Sequence, residues 1–102
     1  MSGIVVVGSA NIDQVFRVDR IPSPGETVLS RGLNTALGGK GQNQAVAAAR
    51  AGVSTAFVGA VGDDSFGEMV RSGLATDSID VSRLKTTDKP TGTALIAVDD
   101  TG

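Results

Sequence analysis

Gly38-Gly39-Lys40-Gly41-Gln42-Asn43-Gln44 opens an alanine-rich stretch that runs to Ala51, and Ser54-Thr55-Ala56-Phe57-Val58-Gly59-Ala60-Val61-Gly62 follows it. These residues decide the fold. The five alanines between Asn43 and Ala51 are strong helix formers. Gly52 stands where a helix takes its C-terminal glycine. Small side chains let such a helix lie close on a sheet, and Ser54 to Gly62 reads as a buried strand. Upstream, Ile4-Val5-Val6-Val7 is a β-branched run closed by Gly8, and it reads as a strand buried on both faces, as in a parallel sheet. Strand, helix and strand in this order predict a βαβ unit.

The pattern continues downstream. Ser65-Phe66-Gly67-Glu68 fits a capping box. Phe66, Met69, Val70 and Leu74 then recur at helical spacing. Gly73 inside that helix costs about 1 kcal/mol relative to alanine. A short strand is expected over Asp80 to Thr86, and a clear one over Thr93 to Val98 after Pro90. Two segments do not fit the parallel core. Val15 to Ile21 alternates apolar and polar residues, as in a strand with one wet face. After the turn Pro22-Ser23-Pro24-Gly25, Thr27 to Leu37 reads as a second half-exposed strand, with Gly32 at a bulge. These imply a small separate sheet over one edge of the core. Asp99-Asp100-Thr101-Gly102 is turn composition, so the chain reads as truncated at a hairpin, with a frayed C-terminal tail as the alternative.

Composition sets limits. The chain has 102 residues, 40% of them hydrophobic, the size of one small domain. A net charge of -2 argues against a nucleic-acid partner and shows no polybasic membrane signal. With no cysteine and no histidine, disulfides, thiolate chemistry, Ser-His-Asp catalysis and imidazole zinc sites are excluded. Aromatic residues are only 3%, too few for a base-stacking platform. The 14 glycines fall in clusters, which points to sites built from backbone. No targeting segment is visible, and no apolar run approaches the roughly 18 residues of a membrane span. A cytoplasmic location is the default expectation.

The sharpest chemical feature is again the Gly38 to Gln44 loop. Glycine lets a ligand approach the backbone, a helix N-terminus favours an anion, and Lys40 adds a mobile cation. A plain glycine-rich helix entry with a solvated Lys40 is the alternative. The loop is not a Walker A motif, because Asn34 stands where the first glycine belongs and Gly41 stands where Ser or Thr belongs. It is not a dinucleotide fingerprint either. Asn11 and Asp13 directly follow the first strand, at the end of the sheet where α/β proteins bind ligands. An amide and a carboxylate there could hold sugar hydroxyls, or simply shape an Asx turn. Asn43 is either a ligand contact or a cap. Asp63-Asp64 reads as helix N-terminal electrostatics, Asp99-Asp100 as turn, and no metal site is expected.

Five segments carry a resemblance: Val7-Gly8-Ser9-Ala10-Asn11-Ile12-Asp13, Pro22-Ser23-Pro24-Gly25-Glu26-Thr27, Gly38 to Ala45, Val61-Gly62-Asp63-Asp64-Ser65-Phe66-Gly67 and Thr91-Gly92-Thr93-Ala94. Through them the chain resembles the N-terminal third of the PfkB family of carbohydrate kinases, its ribokinase group in particular. The lysine in Gly-Gly-Lys-Gly-x-Asn-Gln is usually lacking from the fructokinase loop. The resemblance implies an α/β fold with a Rossmann-like parallel core and a small β-sheet lid, with the core at about 1–14 and 38–86 and the lid strands at about 15–37 and 91–98. It implies ATP-dependent phosphorylation of D-ribose to ribose 5-phosphate. Asn11, Asp13, Gly38, Gly39, Lys40, Gly41 and Asn43 would bind the sugar, Lys40 facing the transferred phosphoryl group, and Ala94 and Ile96 would give an apolar contact. It further implies Mg2+ with the ATP, K+ activation, both bound mostly outside this chain, and a homodimer through the lid. The catalytic Asp of the family lies in a Gly-Ala-Gly-Asp loop absent from these residues, so the chain alone is expected to be inactive. Another PfkB kinase, acting on a nucleoside or keto-sugar, is the runner-up. A non-catalytic sugar-binding module, or an interaction fragment using the open edge at 93–98, follows behind.

Overall fold

The computed structural model describes residues 3–102. Eight elements follow one another: β1 Ile4–Val7, β2 Asn11–Arg17, β3 Gly32–Gly38, α1 Lys40–Arg50, β4 Thr55–Gly62, α2 Ser65–Thr76, β5 Leu84–Thr87 and β6 Thr93–Val98. They form two three-stranded sheets. The first is parallel, in the order β1-β4-β5, and carries both helices on one face; the second has the order β3-β2-β6. In the second sheet β2 runs antiparallel to β3 and parallel to β6. The expected α/β architecture with a parallel core and a second small sheet is what the chain adopts.

The core forms where the helices meet the first sheet. Val6, Phe57 and Val61 point from the strands, Ala45 from α1, Val70 and Leu74 from α2, and Ile79 and Leu84 close the far side. Ile12 joins them from the second sheet, and Leu37, opposite it in register, packs against the same cluster. The second sheet is therefore anchored by its base alone. The rest projects outward, which gives a radius of gyration of 15.9 Å against about 13 Å for a typical domain of 100 residues.

Several local expectations are revised. β1 is an edge strand with one covered face: Val6 is buried, but Val5 and Val7 are 61% and 77% exposed. The hydrophobic run reports strand propensity there, not two-sided burial. The second strand begins at Asn11 rather than Val15, so Asn11 and Asp13 sit in the second sheet and not at a core strand's end. The third runs over Gly32–Gly38, and Gly32 pairs regularly with Arg17 without a bulge. β5 starts only at Leu84, Asp80 making a lone bridge to Ala56.

Both helices show why their ends lie where they do. α1 starts at Lys40, directly after Gly39, whose φ of 99° only glycine takes readily. It ends as expected, Gly52 taking a left-handed φ of 93° beyond Ala51. α2 is capped by Asp64 rather than Ser65, its carboxylate accepting from the Gly67 N–H. Gly73 earns its place in α2: a Cβ there would run into Leu37 of β3.

Candidate functional site

Four chain segments converge where the second sheet meets the first: the residues leaving β1, the start of β2, the β3–α1 junction and the entry to β6. The close approaches explain the glycines. A Cβ on Gly41 would lie 2.8 Å from Gly8 Cα, so the first turn of α1 touches the backbone leaving β1. A Cβ on Gly39 would lie 2.7 Å from the Ser9 carbonyl oxygen and 2.9 Å from Asn11 Oδ1. A Cβ on Gly38 would collide with the Asp13 carboxylate.

The side chains that survive this crowding form a pair. Asn11 Nδ2 donates to Asp13 Oδ1 at 2.8 Å, and both residues are half-buried. Asp13 lies between Ala36 of β3 and Ala94 of β6 in register. Registered neighbours in a sheet share a face, so the carboxylate is flanked by two methyl groups and the bare Gly38. Ile96 lies two residues further along β6, beside Val15 and on the same face. Pairing with Asn11 leaves Asp13 with further acceptor capacity and Asn11 with its carbonyl oxygen. The arrangement can bind vicinal hydroxyl groups.

The helix beside the pair is open at its start. Among the described residues no side chain caps α1. The Gln42 N–H is taken by the Ser9 carbonyl at 3.0 Å, which ties the helix to the β1–β2 link. Lys40 and Asn43 are both exposed in this first turn, where the helix dipole favours an anion. Among the described residues no hydrogen bond joins their side chains to Asn11 or Asp13. The fold thus brings Asn11, Asp13, Gly38, Gly39, Gly41 and Ala94 into one cluster and sets Lys40, Asn43 and Ile96 at its margin.

Three contributors were not visible beforehand. Ala36 completes the flanks of Asp13, Gly8 makes room for Gly41, and Ser9 supplies the acceptor for α1. Only the Gly8-Ser9 pair leaving a strand hinted at a close approach. Among the described residues no three carboxylates converge as metal ligands. Asp13 with the amide Asn11 is a poor match to the six or more oxygens a hard cation collects. No described helix is long and apolar enough to cross a membrane.

Residues 1–102 match the pfkB family of carbohydrate kinases along their whole length, and the chain belongs to that family. Within it the similarity is to ribokinases. The chain is 46% identical to the ribokinase of Schizosaccharomyces pombe, over all of this chain and 34% of the relative. The ribokinase of Cryptococcus neoformans, solved with ADP, superposes with a TM-score of 0.87 at 43% identity, covering 100% of this chain and 32% of that one. The Arabidopsis thaliana ribokinase, solved with ribose and ATP, superposes with a TM-score of 0.88 at 34% identity, covering 98% and 33%. The chain spans 34%, 19% and 31% of the first three curated relatives it matches.

Proposed function

We propose that these residues form the sugar-binding side of an ATP-dependent ribokinase. The observation that carries this reading is the Asn11–Asp13 pair, held at 2.8 Å against Gly38 and Gly39 and beside the uncapped start of α1. Asp13 and Asn11 would hold ribose hydroxyls. Ala94 and Ile96 would supply an apolar wall, and Gly38 to Gly41 would let the sugar meet backbone. Lys40, with the N-terminal end of α1, would stabilise negative charge on the transferred phosphoryl group, and Asn43 would contact the sugar from the same turn. ATP, when bound, supplies that group. The ribose 5-hydroxyl oxygen forms the new bond to phosphorus, the bond to the ADP oxygen breaks, and the hydroxyl proton leaves to a base. Asp13 is already engaged by Asn11 and crowded by Gly38, which suits orientation better than proton transfer. We assign the base to none of these residues, so the chain alone is inactive in this reading. Mg2+ with the nucleotide and activation by K+ belong to the same proposal, outside the residues described.

The division into a core and a lid remains a proposal about which parts move together, with β2 whole on the lid side rather than cut at about residue 14. So do a homodimer through the second sheet, where Leu33 and Leu95 are 55% and 73% exposed, and a cytoplasmic location. The test is ribose-dependent ADP release by the reading frame continued to the length of its relatives. Asp13→Asn should lower kcat/KM for ribose by about a hundredfold, the loss of a charged hydrogen bond. Equal rates for wild type and Asp13→Asn, or a preference for a nucleoside or keto-sugar over ribose, would overturn the assignment. ADP release by residues 1–102 alone would overturn the claim of inactivity.

A further inference from the structure

Asp64 does more than a helix cap requires. Capping needs one acceptor for one N–H, and Asp64 Oδ1 meets that need at 2.7 Å from the Gly67 N–H. The same carboxylate also reaches a residue 27 positions away. Its Oδ2 accepts from the Thr91 N–H at 2.9 Å, and its Oδ1 accepts from the Thr91 hydroxyl at 2.6 Å. The Thr91 hydroxyl oxygen in turn accepts from the Gly62 N–H at 2.8 Å. Thr91 is buried, at 6% exposure. Backbone is brought close for this: a Cβ on Gly62 would lie 2.6 Å from both Asp64 Oδ2 and Thr91 N, and one on Gly67 would collide with the Gly62 carbonyl oxygen. These bonds to Thr91 and Gly67 hold the Asp64 carboxyl below its ordinary pKa.

What the tether holds is the entry to β6. Gly92, the next residue, accepts from the Ile12 N–H at 2.9 Å, and its Cα lies against Asn11, a Cβ there falling 3.4 Å from Asn11 Cβ. Asp64, Thr91, Gly92 and Asn11 thus form a continuous path from the first sheet to the candidate site. We propose that Asp64 is a positioning residue, which fixes the start of β6 beside Asn11 and Asp13 through Thr91. That the positioned groups bind sugar rests on the reading above; the tether itself does not.

The experiment is amide hydrogen exchange and side-chain amide NMR on the 102-residue chain, with no ligand. Asp64→Ser keeps a good helix cap but is too short to hold Thr91. The Ile12 amide should exchange about tenfold faster or more, as expected when a charge-assisted tether is lost. The Asn11 side-chain amide resonances should shift, and the amides of Glu68 to Leu74 should stay within about twofold of wild type. Equal acceleration across α2 would reduce Asp64 to a cap, and an unchanged Ile12 amide would mean no tether; either overturns the proposal. Should Asp64→Ser not fold, Thr91→Ser and Thr91→Val decide. Serine should restore wild-type exchange at Ile12 and valine should not, and identical behaviour of the two would overturn the proposal. None of these outcomes depends on the substrate.

Discussion

The two sheets have the same number of strands and opposite means of support. In the β1-β4-β5 sheet one face is covered by two helices, and its central strand buries Phe57 completely. In the β3-β2-β6 sheet the base is held by Ile12 and Leu37, while Leu33 and Leu95 stand in the open. The first sheet is held by packing. The second is held by backbone pairing, by one buried side chain at its root and by the Asp64–Thr91 bonds. A ligand site gains from this division, because one wall can be rigid while the other retains freedom to adjust. Local stability follows buried contact, so the two sheets should open at different costs.

The largest break in that comparison comes from Phe57. Phe57→Ala removes the largest fully buried side chain and should cost about 3–5 kcal/mol, measured by urea unfolding. Ile12→Ala should cost about 2–5 kcal/mol although Ile12 belongs to the second sheet. A cost for Ile12→Ala below that range would show that the second sheet is not anchored by its base. The contact between the regions is probed more finely at Gly73. Alanine there gains about 1 kcal/mol of helix propensity, but its methyl group meets Leu37, an overpacking cost of about 1–3 kcal/mol. Gly73→Ala should therefore be neutral to destabilising, whereas the same change made in Leu37→Ala should show the helix gain relative to Leu37→Ala alone. A stabilised single variant would show that Leu37 can move aside freely.

How far the sequence carries depends on which force decided each element. α1 and β4 were legible because alanine content, the closing glycine and a continuous apolar run all agree. The boundaries of β2 and β3 were not, because Asn11 and Asp13 pair as strand residues through backbone bonds that ignore side-chain polarity. The exposure of Val5 and Val7 was likewise hidden: a run of valines specifies a strand and says nothing of what covers it. In the candidate site, residue types pointed to Asn11 and Asp13, but only register shows Ala36 and Ala94 flanking the carboxylate. Asp64 was read as helix electrostatics from its neighbours. Its bonds to Thr91 cross 27 residues, beyond the reach of any local pattern.

Acid should separate the two regions again. Asp80 in the first is held below its ordinary value by the Ser82 N–H, and Glu26 in the second by Arg20. A carboxyl whose pKa is lowered by folding adds stability above its unfolded value, and that stability is lost as pH falls through the folded value. For both groups the loss therefore falls below the ordinary carboxyl range. Asp80 lies in the segment joining α2 to β5, so Asp80→Asn should lower neutral stability and flatten the acid branch of the cooperative transition. Glu26 pairs within an exposed loop, so Glu26→Gln should leave that branch in place. Circular dichroism across the acid range checks both, and a flattening by Glu26→Gln would make the loop part of the cooperative unit.

The smallest expected effect is at Leu95. It is 73% exposed in β6, on the face opposite Ala94 and Ile96. Leu95→Ala removes little buried surface and should change stability by no more than about 0.5 kcal/mol, well under a fifth of the cost at Phe57. That near-zero value is informative because β6 also carries the Asp64–Thr91 tether at its start. If β6 were held by packing along its length, Leu95→Ala would cost about as much as a half-buried core position. If it is held at its entry and by pairing to β2, the side chain at 95 is free to vary. Urea unfolding of Leu95→Ala, set beside the exchange rate of Ile12 in Asp64→Ser, separates the two. A cost above about 1.5 kcal/mol, typical of substantial side-chain burial, would show that the outer face of the second sheet is covered in solution. The contrast between a packed sheet and an open one would then hold for the isolated chain only.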